Sequence, residues 1–222
     1  MGIDLSPADR GRAFIEMSGR KGLGVKAEDL LDRLVEKAED AVKSRSGGEP
    51  VDPARADAIA IGALRVYMTR YSRNKVIAFD FDEALAFEGD TGPYLQYAAV
   101  RAANIFRKLE AQGLPGILPP EEVEAVAELD PALLDDGLWD VVRTCLRSRE
   151  TLEKVAETLE ISLLVRHALA VAAAFHHLYH THPILQAPDE ASRRSRRAAL
   201  QLVLGHLHQL LDVLGVPVPE KM

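Results

Sequence analysis

A chain of 222 residues with 47% apolar content and 5% aromatic residues can bury one large core or two small ones, and its wealth of Ala, Leu, Val and Glu favours helices. A net charge of −7 argues against non-specific coating of nucleic acid, so any nucleic-acid contact must come from a local basic patch. The single cysteine, Cys145, excludes an internal disulfide and a cysteine metal site. The N-terminus, with Asp4 and Asp9 and no apolar segment, is not a signal peptide, and the longest apolar run, Ala168 to Phe175, is too short to span a bilayer. A soluble, cytoplasmic protein is expected.

Residues 1–24, rich in Gly, Ser and charge, read as loop. From Lys26 to Val42 the pattern is helical, with Leu30, Leu31, Leu34, Val35 and Ala38 on one face. Gly47 and Gly48 mark a linker, and Asp52-Pro53 opens a helix reaching Arg70, with Ile59, Ala63, Val66 and Arg70 on one stripe. Residues 76–81 form the strand candidate. A helix from Tyr94 to Ala111 follows, and "GLPGILPP" breaks it. The remainder is helical, interrupted at Asp130-Pro131, near Ile161 and at "HTHPILQAPDE". Leu164, Ala168, Val171, Phe175 and Leu178 make one buried stripe; Leu200, Val203, Leu204, Leu207, Leu210, Leu211 and Leu214 make another. Trp139 and Cys145 fall on an apolar pattern and are expected in the core. Gly215 stops the last helix, and Pro217 and Pro219 prevent its resumption. The fold class is mainly α, with an antiparallel helix bundle in the second half.

The stretch "KVIAFDFDEALAF" raises a chemical question. Its Asp80-Phe81-Asp82 resembles the phosphoryl-transfer loop of haloacid-dehalogenase-like phosphatases, where a strand delivers one Asp as nucleophile and a second as acid/base. The residues around it disagree. Glu83 and Ala84 stand where small turn residues and a hydroxyl belong, no strand precedes Asp135-Asp136, and the downstream chain offers helices only. Carboxylates capping a helix that begins near Glu83 explain the motif better.

Four longer segments share one resemblance. "FIEMSGRKGLGVKAEDLL" resembles the class I signature loop that closes over ATP in arginyl-tRNA synthetases. "EALAFEGDTGPYLQYAAVRAANIFRKL" resembles the segment that joins that family's catalytic body to its anticodon-binding domain. "VAETLEISLLVRHALAVAAAFHHLYHTHPIL" resembles its DALR-type anticodon-binding helices, and "LLDVLGVPVPEKM" its C-terminal ending. The family usually has Pro and Tyr where this chain has Ile161 and His167. The resemblance implies residues 1–90 as the end of a catalytic body carrying the ATP loop, and residues 91–222 as a helical anticodon-binding domain. It implies a complete enzyme that joins arginine to its tRNA with ATP and Mg2+. The Rossmann portion is absent from this chain, which alone should be inactive and bind no cofactor tightly. Implied partners are arginine tRNA and the missing N-terminal catalytic portion, with no membrane and a monomeric state. The alternative is a stand-alone, non-catalytic relative that binds tRNA or a protein.

Candidate residues follow from the pieces. In the signature loop the resemblance puts Arg20 and Lys21 at the charge developing on the departing pyrophosphate, with Ser18 as a donor. Tyr94, Tyr97 and Arg101 recur at i, i+3 and i+7, and aromatic planes beside a cation suit nucleotide stacking or a phosphate contact. Gln96 lies off that line and is grouped with them as an RNA contact. His176 and His180 are one turn apart, but without an acidic third ligand they make a weak metal motif. The resemblance implies instead that His176 and Tyr179 border the anticodon loop. In "DEASRRSRRAALQL" the residues Arg193, Arg196 and Arg197 continue the leucine stripe beyond the core. Asp189 and Glu190 can pair with Arg193 and Arg194, leaving Arg196 and Arg197 without a local acid and suited to RNA phosphate.

Overall fold

The computed structural model describes residues 26–45, 50–119, 121 and 135–222. The signature loop with Ser18, Arg20 and Lys21, the linker glycines Gly47 and Gly48, and the break at Asp130-Pro131 lie outside them. Eight helices run through the described residues: α1 (Ala27–Arg45), α2 (Pro53–Thr69), α3 (Phe81–Ala84), α4 (Gly92–Ala111), α5 (Asp136–Leu146), α6 (Ser148–Thr158), α7 (Ser162–Thr181) and α8 (Glu190–Leu214).

Local chemistry sets most of the helix ends. Asp52 accepts from the Ala54 N–H at 3.2 Å with Pro53 as the first helical residue of α2. Thr91, Asp135 and Asp189 cap α4, α5 and α8 by accepting backbone N–H bonds at 2.7–3.2 Å. Gly215, at φ 64°, ends α8: its own N–H reaches Asp212 O, and the Val216 N–H returns to Leu211 O at 2.8 Å. Between α6 and α7 the chain turns through Leu159, a non-glycine residue at φ 54°.

Two apolar clusters hold these helices. The larger joins α4, α5, α7, α8 and the tail residue Val216, and contains the full Leu164–Leu178 stripe. The smaller packs Leu34, Ala38 and Val42 of α1 against Ile59, Ala60, Ala63 and Tyr67 of α2. Helix α2 serves both, since Val66 belongs to the larger cluster. Its crossing with α4 is close: a Cβ on Gly92 would lie 2.2 Å from the Gly62 carbonyl oxygen. Glycine at position 92 lets these backbones touch, whereas a Cβ on Gly62 would meet the Gln96 side chain at 2.5 Å.

Two expectations are corrected. Residues 76–80 carry no regular secondary structure and join no strand ladder, and α3 begins at Phe81. Val76 is 89% exposed, so the segment docks by its alternate aromatics instead, with Phe79 edge-on to Tyr67 at 4.8 Å and to Phe81 at 5.2 Å. Its carboxylates diverge. Asp80 caps α3 through the Glu83 N–H at 2.8 Å, whereas Asp82 is exposed and pairs with Lys37 at 2.8 Å. No shared phosphoryl site results, and the capping explanation holds. Trp139 is 44% exposed, because Leu138, Val141 and Cys145 form the inward face of α5 and Trp139 sits one step off it. Cys145 is fully buried, which pushes its thiol up to about 12 and makes it unreactive.

Half-buried imidazoles tie stability to pH. His167 (α7) shares a 2.8 Å hydrogen bond with the Ser148 hydroxyl, and desolvation by burial, aided by Arg147 and His206, lowers its pKa. Burial lowers His206 too, and His176 is lowered by burial and then by Arg101 and His180. The fold therefore prefers all three neutral. Once pH falls below the ordinary histidine value of 6.5, the unfolded chain binds more protons than the folded one, and stability declines until the folded-state pKa values are passed. The urea midpoint should be flat above pH 7.5 and drop between pH 7 and 5. The triple variant His167→Gln/His176→Gln/His206→Gln should lose most of that drop.

Candidate functional site

Helix α4 presents Tyr97, Arg101, Asn104 and Lys108 at successive turns, and these four line one cleft together with Tyr179 of α7 and the tail residue Met222. The Arg101 guanidinium carbon lies 3.8 Å from the Tyr179 ring centroid and 5.6 Å from that of Tyr97. Such contact holds the guanidinium in place, and among the described residues Arg101 makes no ion pair. His176, one turn before His180 on α7, lies nearly parallel to Tyr97 (21°, centroids 6.1 Å apart) and tilts against Tyr94 at 5.1 Å. Burial, then the Asp90 charge, raises the Tyr94 pKa, so its hydroxyl stays protonated near neutral pH. The His176 Nε2 atom is buried and has no hydrogen-bond partner among the described residues.

Five of the sequence-predicted residues thus converge: Tyr94, Tyr97, Arg101, His176 and Tyr179. Four do not join them. Gln96 is fully buried; its Nε2 donates to Ala58 O at 2.8 Å and Pro217 O at 2.6 Å, binding α4 to α2 and to the tail. It cannot reach RNA. Arg197 is 1% exposed, donates from Nε to Gly116 O at 3.3 Å and lies 3.8 Å from Glu190. Neighbouring Gln201 bonds both the N–H and the carbonyl of Leu118. Together they fasten residues 116–118 to α8. Arg193 pairs with Glu190, and Arg196 donates to Pro183 O at 3.0 Å. The strongest basic run in the sequence is therefore consumed largely by internal contacts.

Sequence reasoning missed several residues at the clefts. Asn104 and Lys108 continue the Tyr97–Arg101 face at i+7 and i+11 from Tyr97, so helical spacing alone could have found them. Arg45 and Phe87 line two further clefts that share Tyr97, Arg55 lines one of them, and no local pattern announces them. The clefts at Tyr179 and at His176 have volumes of about 310 and 410 Å3, enough for a small ligand or one nucleotide's base. Among the described residues, no group of three or more His, Cys, Asp or Glu side chains is arranged to hold a metal, and no helix is long and apolar enough to cross a membrane. What the site offers is flat rings and a planar guanidinium: groups for stacking bases and neutralising phosphate.

Comparison with known proteins points the same way. The DALR anticodon binding domain matches residues 95–222. The arginine–tRNA ligase of Thermus thermophilus is 34% identical over 214 residues, covering 93% of this chain and 34% of that protein. The arginine–tRNA ligase of Thermococcus kodakarensis is 33% identical, with 92% and 32% covered. The solved Thermus thermophilus arginyl-tRNA synthetase superposes with a TM-score of 0.79 at 30% identity, over 93% of this chain and 33% of that one. The Plasmodium falciparum arginyl-tRNA synthetase shares the fold, with a TM-score of 0.72 at 19% identity over 89% of this chain and 34% of that one. The chain spans about a third of the length of the curated relatives it matches. With more than half of its residues inside the match, this chain belongs to the DALR anticodon-binding domain family.

Proposed function

We propose that the chain recognises the anticodon arm of arginine tRNA, as the tRNA-reading part of an arginine–tRNA ligase. The observation that carries this reading is the Tyr97–Arg101–Tyr179 cluster with His176 beside it, which lies inside the family-matched residues. Unpaired loop bases can stack on the rings, and Arg101 and Lys108 can neutralise phosphates that pass the cleft. In this reading residues 91–222 are the anticodon-binding unit and residues 1–90 the end of a catalytic body. Arginine activation with ATP and Mg2+ belongs to the whole ligase, where Ser18, Arg20 and Lys21 would serve the ATP loop. This chain alone is expected not to aminoacylate, to work as a monomer in the cytoplasm, and to act with an N-terminal catalytic portion.

The test is binding of this chain to arginine-accepting tRNA, against a tRNA with another anticodon, across a salt series. The reading expects tighter binding to the arginine tRNA and a linear fall of log K with log salt. Equal affinity for the two, or none for either, would overturn it. Addition of a ligase N-terminal portion is expected to restore aminoacylation; tRNA binding without that restoration would support a stand-alone binding module.

A further inference from the structure

Two of the three clefts around Tyr97 are built largely by residues outside the family-matched segment. One is lined by Val42 and Arg45 at the end of α1, Arg55 in the first turn of α2, Phe87 in the loop before α4, Tyr97 and Met222. The next shares Arg45, Phe87 and Tyr97 and adds Glu88, Tyr94 and His176. The Arg45 guanidinium carbon lies 3.9 Å from the Phe87 ring centroid. The contact resembles that of Arg101 on Tyr179, a flat cation laid over a ring.

Not every described arginine of this molecule has an acid partner. Arg70, Arg143, Arg149 and Arg193 all pair with carboxylates. Among the described residues Arg45 and Arg55 have no ion pair, and the Arg55 Nε atom is buried without a hydrogen-bond partner. A chain with 34 acidic residues against 27 basic ones has carboxylates to spare, yet two arginines of different helices meet at one cleft without them. Two guanidinium groups that line one cleft give it a positive potential that favours an anion. The anion must be flanked by something flat, because Phe87 and Tyr97 form the walls. A nucleotide combines both properties. Glu88 borders only the second cleft, so the phosphate belongs on the Arg45–Arg55 side and the base toward Phe87 and Tyr97.

We propose that the cleft of Arg45, Arg55, Phe87 and Tyr97 is a second RNA subsite, which holds the backbone phosphate and stacked base of an unpaired nucleotide next to the one bound at Arg101 and Tyr179. This rests on the RNA-binding reading above and extends it: recognition becomes joint work of α1 and α2 with the family-matched helices. Met222, which lines the clefts on both sides of Tyr97, stands between the two subsites.

The experiment measures binding of an arginine tRNA transcript to the full chain at several salt concentrations. The variants are Arg45→Gln/Arg55→Gln, Phe87→Leu and Arg101→Gln, with Arg149→Gln as an exposed control paired only with Glu153. Thermal melts check folding, and Phe87→Tyr, which keeps a ring in place, guards against a merely structural effect. The double variant should weaken binding about tenfold or more and flatten the salt slope by about one to two, the loss of one or two phosphate contacts. Phe87→Leu should weaken it at least about fivefold with the slope unchanged, and Phe87→Tyr should keep it. If the double variant binds like wild type in both affinity and slope while Arg101→Gln loses binding, the second subsite is refuted and the anticodon-arm reading stands. If the wild-type chain does not bind the transcript, both are refuted.

Discussion

Replacing Gly92 with alanine should destabilise the protein by about 3 kcal/mol, at the upper end of overpacking costs. The added Cβ would sit 2.2 Å from the Gly62 carbonyl oxygen and 2.4 Å from its carbon. Both are backbone atoms in the middle of α2, so no rotamer change can relieve the contact, and α2 and α4 must part. Their separation would also pull on Gln96, the side chain that joins Ala58, Pro217 and α4. Gln96→Leu removes that donor while keeping the volume. It should cost about 2–3 kcal/mol, because two carbonyls lose their hydrogen-bond donor in a buried place. Gly205 on α8 provides the control: nothing lies within 4 Å of the place a Cβ would take there, and Gly205→Ala should hold or raise stability by up to about 1 kcal/mol. Urea unfolding of the three variants measures this directly. A Gly92→Ala protein as stable as Gly205→Ala would mean that the α2–α4 crossing is looser than these distances require.

Arg101 and Arg197 should separate binding from folding. Arg101→Ala removes a guanidinium held over two tyrosine rings at the edge of an open cleft. Its melting temperature should change little, since exposed cation–π contacts are worth about 0.5–1 kcal/mol, whereas tRNA affinity should fall about tenfold or more. Arg197→Ala should do the reverse. It empties a buried site and takes the Nε donor from Gly116 O, at a cost of about 2–3 kcal/mol. Below its lowered melting temperature it should bind tRNA like wild type. Paired melts and binding curves decide the matter. An Arg197→Ala protein that keeps wild-type stability but loses tRNA would restore the basic run as an RNA contact.

The division between these two arginines reflects what the sequence alone determined. Helix identity, helix ends and buried stripes were legible because they depend on neighbours within a turn or two. The Leu164–Leu178 stripe is buried throughout, Asp52, Asp80 and Asp189 cap the helices that follow them, and Gly215 ends α8. The Tyr97–Arg101 face was legible for the same reason, and four segments in family order were enough to indicate the family. Tertiary structure alone decided which polar groups remain available. Arg197 and Gln96 look like surface contacts by composition, yet each is buried against carbonyls 81 or more and 38 or more residues away, at Gly116, Ala58 and Pro217. Arg45, Arg55 and Phe87 show no pattern by spacing, yet they come to one cleft because α1 folds back on α2 and the loop before α4 closes over their end. The apolar run at 76–81 reads as a strand, yet it joins no ladder and docks on Tyr67 through Phe79 instead. Periodicity is a local property of the backbone, whereas the partner of a long polar side chain is set by elements far apart in the chain, so the sequence showed which faces carry long polar side chains and the packing determined which of them are spent on internal contacts.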